Sequence, residues 1–433
     1  MEKTKVAIVG LGTVGSGVAK ILLANAERTA RHAGRRRLWL EQVVVRDVKK
    51  PRDVVLPPDI LSNDLKRITN DPEIVAVAHL VGGLEPARTI MLQLLESGKD
   101  VITANKALLA EHGPELFDRA RELGRTIAFE AAVAGGIPII ANISQCLSAN
   151  QILSLHGILN GTSNFILTAM ENEGKSYAAA VADAQRLGYA EADPTLDVDG
   201  SDAAQKLAIL AHLAFGARVQ WNDIPRRGID DLDAAELRFA KELGYRIKLL
   251  AVAQLASGGL ELHVSPTMVK IGSPLGEVHD AYNAVSVEGD AVGRIFFHGL
   301  GAGQMPTASA VVADMIDTIV GRTAITFRTL EPWSNRDTAP KLMTSDAAQG
   351  RYYLRFNVSD RPGVLADIAG SLGRQGISIA SVIQHEPPDA GADAVPLVIM
   401  THNTTEGAVA KALKEIHTSQ AVRGECVKLR VRN

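Results

Sequence analysis

Apolar and polar positions alternate at two periods along this chain. Lys5–Val9 is a short, mostly apolar run that stops at Gly10; Val14, Val18, Ile21 and Leu22 then recur at helical spacing. Val43–Val45, Ile74–Val81, Asp100–Thr103 and Thr126–Phe129 read as further strands, with helices over Glu85–Glu96 and Lys106–Leu123 between them. This alternation predicts a parallel sheet with right-handed crossovers over roughly the first 130 residues. Ligands of such sheets bind outside the carboxyl ends of the strands.

After Glu130-Ala-Ala-Val-Ala-Gly-Gly-Ile-Pro138 the pattern changes. Helices are expected at Ile139–Leu147, Ser163–Glu173, Tyr177–Leu187 and Ala203–Phe215, and strands at Leu249–Gln254, Leu260–Pro266 and Ala284–Gly289. This predicts an α+β unit inserted into the first. A flexible Gly299-Leu-Gly-Ala-Gly303 precedes a strong helical pattern over Pro306–Val320. Residues 331–350 carry Pro, Asn, Asp, Ser and Gly without period and read as a linker. Beyond it come a strand (Arg351–Val358), a turn and helix from Asp360, strands at Ile377–His385 and Val395–Thr401, a helix (Glu406–His417) and a strand (Cys426–Val431). That order, βαββαβ, predicts a small ferredoxin-like sheet. The expected fold class is therefore α/β, with domains at 1–130 plus about 304–330, at 131–303 and, after the linker, at 351–433.

At 433 residues the chain needs two or three domains. Its 46% hydrophobic and 22% charged residues suit a globular protein. A net charge of −3 gives no electrostatic case for nucleic acid or an anionic membrane. Arg35-Arg36-Arg37 reads as a solvated helix end. No apolar stretch is long enough to span a bilayer, and the chain enters a strand without a leader, so a cytoplasmic protein is expected. Cys146 and Cys426 stand far apart without metal-ligand spacing, which fits a reducing compartment. The 11 His residues form no His-x3-His pair.

Two motifs carry chemistry. Gly10-Leu11-Gly12-Thr13-Val14-Gly15 follows the first strand and opens a helix, the setting a dinucleotide fingerprint requires. Gly10 permits the turn, Gly12 admits a pyrophosphate, and Gly15 lets the helix pack closely; alone, the same glycines could serve a bare strand–helix turn. The second motif runs from Arg186 to Lys206 and sets Glu191, Asp193, Asp197, Asp199 and Asp202 beside one lysine. Asp202 and Lys206 are spaced i, i+4, on one face of a helix start. Such a cluster can hold a substrate ammonium while Lys206 handles a proton, although a solvated acidic loop with a capping Asp would have the same composition. Lys106 follows the end of a predicted strand, where function and an ordinary helix start are both open.

These residues, taken together, resemble the homoserine dehydrogenases of the long bacterial type, which end in an ACT regulatory domain. The resemblance covers nearly the whole chain. It rests on the GLGTVG start, Thr103-Ala-Asn-Lys106, the Glu130–Pro138 block, Gly157-Ile-Leu-Asn-Gly-Thr-Ser-Asn-Phe165, Gly188-Tyr-Ala-Glu-Ala-Asp-Pro194, Asp202 with Lys206, and Gly301-Ala-Gly-Gln-Met-Pro-Thr307. It implies a Rossmann-type nucleotide domain, an α+β catalytic and dimerisation domain, and a homodimer or homotetramer. The implied reaction is reversible NAD(P)H-dependent reduction of L-aspartate 4-semialdehyde to L-homoserine, in threonine, methionine and isoleucine biosynthesis. The resemblance makes Lys206 the proton donor or acceptor, with Lys106 and Asp202 beside it, and gives Glu191, Asp197, Asp202 and Thr162 to the substrate. Gly188 and Gly303 join the glycine loop and Lys106 on the coenzyme side. The backbone carbonyls of Glu130, Val133, Gly135 and Ile137 are expected to hold a structural monovalent cation, usually sodium.

Coenzyme choice turns on the end of the second strand. Arg46 and Lys49 suit a 2′-phosphate, whereas Asp47 could accept from a 2′-hydroxyl. NADP(H) is favoured and NAD(H) remains open. The ACT resemblance implies an amino-acid effector, threonine, framed by Asp360, Gly363 and Val364; a dimerisation module without ligand is the alternative. Aspartate semialdehyde or saccharopine-type dehydrogenases are rivals on the same scaffold. The former needs a nucleophilic Cys, and Cys146 has no recognisable His partner. A dinucleotide sensor without turnover is a further reading, weakened by the presence of both Asp202 and Lys206. The chain has no room for a fused kinase.

Overall fold

In the computed structural model the described residues are 2–331, 333, 339–384 and 394–432. In chain order the strands are Glu2–Val9 (β1), Arg36–Val44 (β2), Leu61–Ser62 (β3), Ile74–His79 (β4), Asp100–Thr103 (β5), Ile127–Ala128 (β6), Ile152–Ile158 (β7) and Tyr245–Ala256 (β8). They continue with Gly259–Lys270 (β9), Tyr282–Gly289 (β10), Gly293–Leu300 (β11), Gln349–Val358 (β12), Ile379–Gln384 (β13), Val395–Thr401 (β14), Thr404–Thr405 (β15) and Val422–Arg432 (β16). The chain forms two compact units.

The first unit comprises Met1–Thr162, Ser201–Ile224 and Asp280–Pro340. Its main sheet has the order β3-β2-β1-β4-β5-β6, with every neighbouring pair parallel. This is the Rossmann-type arrangement, with the order reversing at β1/β4. The helix Thr13–Ala24 lies close against Gln304–Ile319, an approach that only a residue as small as Gly17 allows: a Cβ there would stand 2.8 Å from that of Ala308. The unit also holds the antiparallel run β11-β10-β7.

Two expectations fail here. Arg36 and Arg37 belong to β2, not to a helix end, because they pair with Glu2 and Lys3 of β1. The indole of Trp39, under the Lys3 and Arg37 cations, covers this charged stretch. Gly299 and Leu300 are the end of β11 rather than a loop, held by pairing with Asn283 and Tyr282.

The second unit comprises Ser163–Gly200, Pro225–His279 and Lys341–Asn433. Its sheet runs β8-β9-β16-β12-β14-β13, with β15 on β12. Tyr352, Leu354, Phe356 and Val358 alternate inward along β12 and pack with Val364, Ile368, Val409 and Ile416 of the two covering helices. Each large apolar side chain buried this way contributes about 2 kcal/mol. The C-terminal module is thus ferredoxin-like, and β16 joins it to β9 by parallel pairing of Arg430–Arg432 with Thr267–Val269. His385, the expected end of a strand in this module, and residues 332 and 334–338 of the expected linker lie outside the described residues.

Candidate active site

The carboxyl edge of the first sheet forms the site. Gly10 ends β1 with φ +99°, and a Cβ on it would meet Leu80 O at 2.6 Å. Gly15 is tighter: a Cβ would lie 2.1 Å from Gly10 O, so the helix Thr13–Ala24 can start this close only with glycine there. Gly12 differs, with open space where its side chain would be. That space belongs to a groove of about 880 Å³ lined by Gly10, Leu11, Gly12, Thr13, Arg46 and Arg52 among others. The groove has room for an extended ligand, and a helix N-terminus is a setting that favours phosphate groups. Val14 and Gly15 sit behind this wall, in the helix itself.

At the far wall the expected basic residues are partly rearranged. Arg46 lines the groove, whereas Lys49 turns its backbone N–H to Asp47 Oδ1 at 2.8 Å. Lys50 and Arg52, which carried no prediction, line it instead. Arg52 donates to the carbonyls of Asp47 and Lys50, and among the described residues it forms no salt bridge.

Beyond β5, Asn105 caps the helix Lys106–Glu122 by accepting from Leu108 N, and so fixes Lys106 at that helix's first position. Lys106 Nζ lies 3.0 Å from Asp202 Oδ1, while Lys206 Nζ lies 2.7 Å from Asp202 Oδ2. Asp202 and Lys206 are one turn apart in the helix Ser201–Phe215. Asn160 Nδ2 donates to Asp202 at 2.9 Å, and Lys206 donates to Leu159 O at 2.7 Å. Burial opposes charge on Asp202, which is 6% exposed. The two lysine cations, aided by the Lys206 and Asn160 hydrogen bonds, outweigh it and hold the carboxyl well below the usual range. Sequence reasoning named all three charged groups but gave no role to Asn160 or Leu159. Both stand in the Gly157–Phe165 block, whose order was the only available signal.

Other predicted residues are placed as follows. Gly303, at φ +115°, precedes the helix Gln304–Ile319, and Thr162 is buried in the first turn of Gly161–Glu173. Gly188, Glu191 and Asp197 belong to the second unit. Glu191 is exposed, its carbonyl accepting from Gln185, and Asp197 lies in the short helix Thr195–Val198.

The Glu130 turn is a separate buried structure. Its carboxylate accepts from the N–H groups of Ile140 and Ala141, and its own N–H donates to Asp314 at 2.8 Å. Among the described residues no donor reaches the carbonyls of Val133 or Gly135, both buried. The Glu130 and Ile137 carbonyls each accept one backbone N–H, which leaves a second lone pair. Buried carbonyls without partners are rare, and carbonyl oxygens are the ligand type that suits a hard monovalent cation.

Comparison with known proteins agrees with this geometry. The family model described as homoserine dehydrogenase, NAD binding domain, matches residues 10–130; the homoserine dehydrogenase model matches 138–316, and the ACT domain model 352–418. The chain is 43% identical to the homoserine dehydrogenase of Pseudomonas aeruginosa, over 100% of this chain and 99% of that one. It is similar to the crystal structure of a homoserine dehydrogenase from Thiobacillus denitrificans, with a TM-score of 0.92, 42% identity, and coverage of 100% and 99%. A hyperthermophilic archaeal homoserine dehydrogenase mutant in complex with NADPH matches 73% of this chain and 97% of its own, at 25% identity and a TM-score of 0.61.

Proposed function

The chain belongs to the homoserine dehydrogenase family of NAD(P)-dependent oxidoreductases, and we propose that it interconverts L-aspartate 4-semialdehyde and L-homoserine with Lys206 as the proton carrier. The observation that supports this most is the single buried carboxylate of Asp202, bridged by the ammonium groups of Lys106 and Lys206. When bound, NAD(P)H supplies the hydride to the aldehyde carbon. Negative charge then grows on the carbonyl oxygen, and a lysine ammonium both stabilises it and donates the proton that completes the alcohol. Asp202 keeps Lys206 oriented, and Lys106 adds a second positive charge at the same place. Glu191, Asp197 and Thr162 hold the amino-acid end of the substrate, and Gly188 and Gly303 face the coenzyme.

NADP(H) is the preferred coenzyme, with NAD(H) also used. Arg46 and Arg52 would meet the 2′-phosphate, and the archaeal relative's NADPH complex is in keeping with that choice. The carbonyls of Glu130, Val133, Gly135 and Ile137 hold sodium in a structural role. The nucleotide domain takes 1–130 with about 304–330, the catalytic domain 131–303, and the regulatory domain 351–433. Threonine at the Asp360–Val364 turn is the feedback inhibitor of a cytoplasmic homodimer or homotetramer serving threonine and methionine biosynthesis.

One assay tests the whole reading: homoserine oxidation followed by absorbance with NADP and with NAD, with and without threonine. Turnover with either coenzyme is expected, faster with NADP and slowed by threonine. Coenzyme binding without any homoserine-dependent reduction would leave a sensor instead.

A further inference from the structure

The groove at the carboxyl edge of the first sheet carries carboxylates as well as cations. Asp47, Asp53 and Glu85 line it together with Arg46, Lys50 and Arg52. A carboxylate in such a wall opposes a coenzyme with a 2′-phosphate and favours one with a free 2′-hydroxyl. What each of the three is bound to therefore bears on which coenzyme the wall selects.

Two of them are served from their own turn of chain. Asp47 Oδ1 accepts the Lys49 N–H at 2.8 Å. Glu85 accepts from the Thr89 hydroxyl at 2.9 Å, with Arg88 at 3.5 Å. Asp53 differs, because its partner comes from another element. Lys20 Nζ, on the helix Thr13–Ala24, lies 2.5 Å from Asp53 Oδ2. The same ammonium donates to Gln304 Oε1 at 3.2 Å, where the helix Gln304–Ile319 begins. Lys20 itself lies outside the lining of the groove. Its hydrogen bond to Asp53 holds that carboxyl below the usual carboxylate range. The Asp53 side chain is 81% exposed, so the pair adds little to stability. Its effect is on the charge of the wall.

We propose that Lys20 is a specificity-determining residue that acts through Asp53: by pairing with that carboxylate it keeps the groove acceptable to a 2′-phosphate. The inference rests on the reading of Arg46 and Arg52 as the residues that meet the 2′-phosphate, and it deepens that reading. Without Lys20 the freed carboxylate would repel the phosphate and could accept from a 2′-hydroxyl instead. A tether that merely held the loop in place would act on both coenzymes alike.

The test measures the dissociation constants of NADPH and NADH, which differ only in the 2′-phosphate, by nicotinamide fluorescence on the full chain without substrate. Lys20→Met should weaken NADPH relative to NADH by about fivefold. Adding Asp53→Asn to Lys20→Met should return the ratio to that of wild type, because it removes the freed charge without restoring the tether. Lys20→Arg should keep the wild-type ratio. Equal weakening of both coenzymes in Lys20→Met, or no rescue by Asp53→Asn, would make Lys20 a tether and overturn the assignment. Arg46→Ala with Arg52→Ala separates this inference from the reading beneath it. If that double variant lowers the preference for NADPH and Lys20→Met does not, the role of Lys20 falls while 2′-phosphate recognition stands. If the double variant leaves the ratio unchanged, both fall.

Discussion

Lys206 Nζ stands 2.7 Å from Asp202 Oδ2, one turn away on the same buried helix. Lys206 cannot leave Asp202 without losing the carboxylate that faces its mostly buried ammonium. The pair is thus fixed before substrate arrives, and the ammonium is aimed rather than searching. Lys206→Ala should therefore lower kcat by about 10²–10⁴-fold while coenzyme binding, followed by NADPH fluorescence, stays close to wild type. Normal turnover in that variant would remove Lys206 from the chemistry.

Asp202 also sets an acid limit on stability. Its folded-state pKa lies below the ordinary 3.8, so its contribution is present above that value and is lost as the pH falls below it toward the folded-state value. Asp202→Asn should cost about 3 kcal/mol at neutral pH. The gap in melting temperature between variant and wild type should hold steady from pH 8 to 5 and narrow below about pH 4. A gap that narrows already between pH 7 and 5 would mean that another group dominates.

Coenzyme choice can be separated from catalysis at Arg52. Its guanidinium rests on backbone carbonyls, and Asp47 is engaged with its own turn through Lys49 N–H. Replacing Arg46 and Arg52 together by Ala should reduce kcat/KM for NADP by about tenfold or more and leave the NAD value nearly unchanged. An equal fall with both coenzymes would place these residues outside 2′-phosphate recognition.

The sequence was readable wherever local period and tertiary environment agreed. Tyr352, Leu354, Phe356 and Val358 alternate because one face of β12 is core, and the i, i+4 spacing placed Asp202 over Lys206. It was not readable where partners distant in the chain decide. Arg36 and Arg37 look like solvated helix residues until β1 pairs with them. The short runs Ile152–Ile158 and Gly293–Leu300 lack a clean period, and become strands because β10 lies between them. Asn160 reaches Asp202 across 42 positions, a contact no window of sequence contains. Arg52 enters the groove only because its loop folds back over Asp47 and Lys50.

Gly15 and Gly12 of the first turn should separate folding from binding. Gly15→Ala forces a Cβ against Gly10 O at 2.1 Å, so melting should fall by about 5 °C. Gly12→Ala meets nothing within 4 Å and should melt like wild type, yet raise the coenzyme KM because the methyl group occupies the phosphate approach. If Gly12→Ala binds coenzyme normally, the groove does not hold the pyrophosphate there.

Removing the ACT module is a less innocent change than its position at the end of the chain suggests. β16 supplies hydrogen bonds to the edge of β9, Arg430 pairs with Glu261, and Arg355 pairs with Glu236 of the helix Ala234–Glu242. Glu236 is 1% exposed and would be left buried without its partner, a cost of about 3 kcal/mol. Deleting 351–433 would also bare β9 as an unpaired edge, a template for aggregation. The truncated chain should melt at lower temperature and elute partly as large aggregates on gel filtration. Loss of threonine inhibition in it would then report damage as readily as regulation. Asp360→Ala in the full chain is the cleaner probe: it should weaken threonine inhibition with no change in melting temperature, and inhibition that persists undiminished would remove that turn from the effector site.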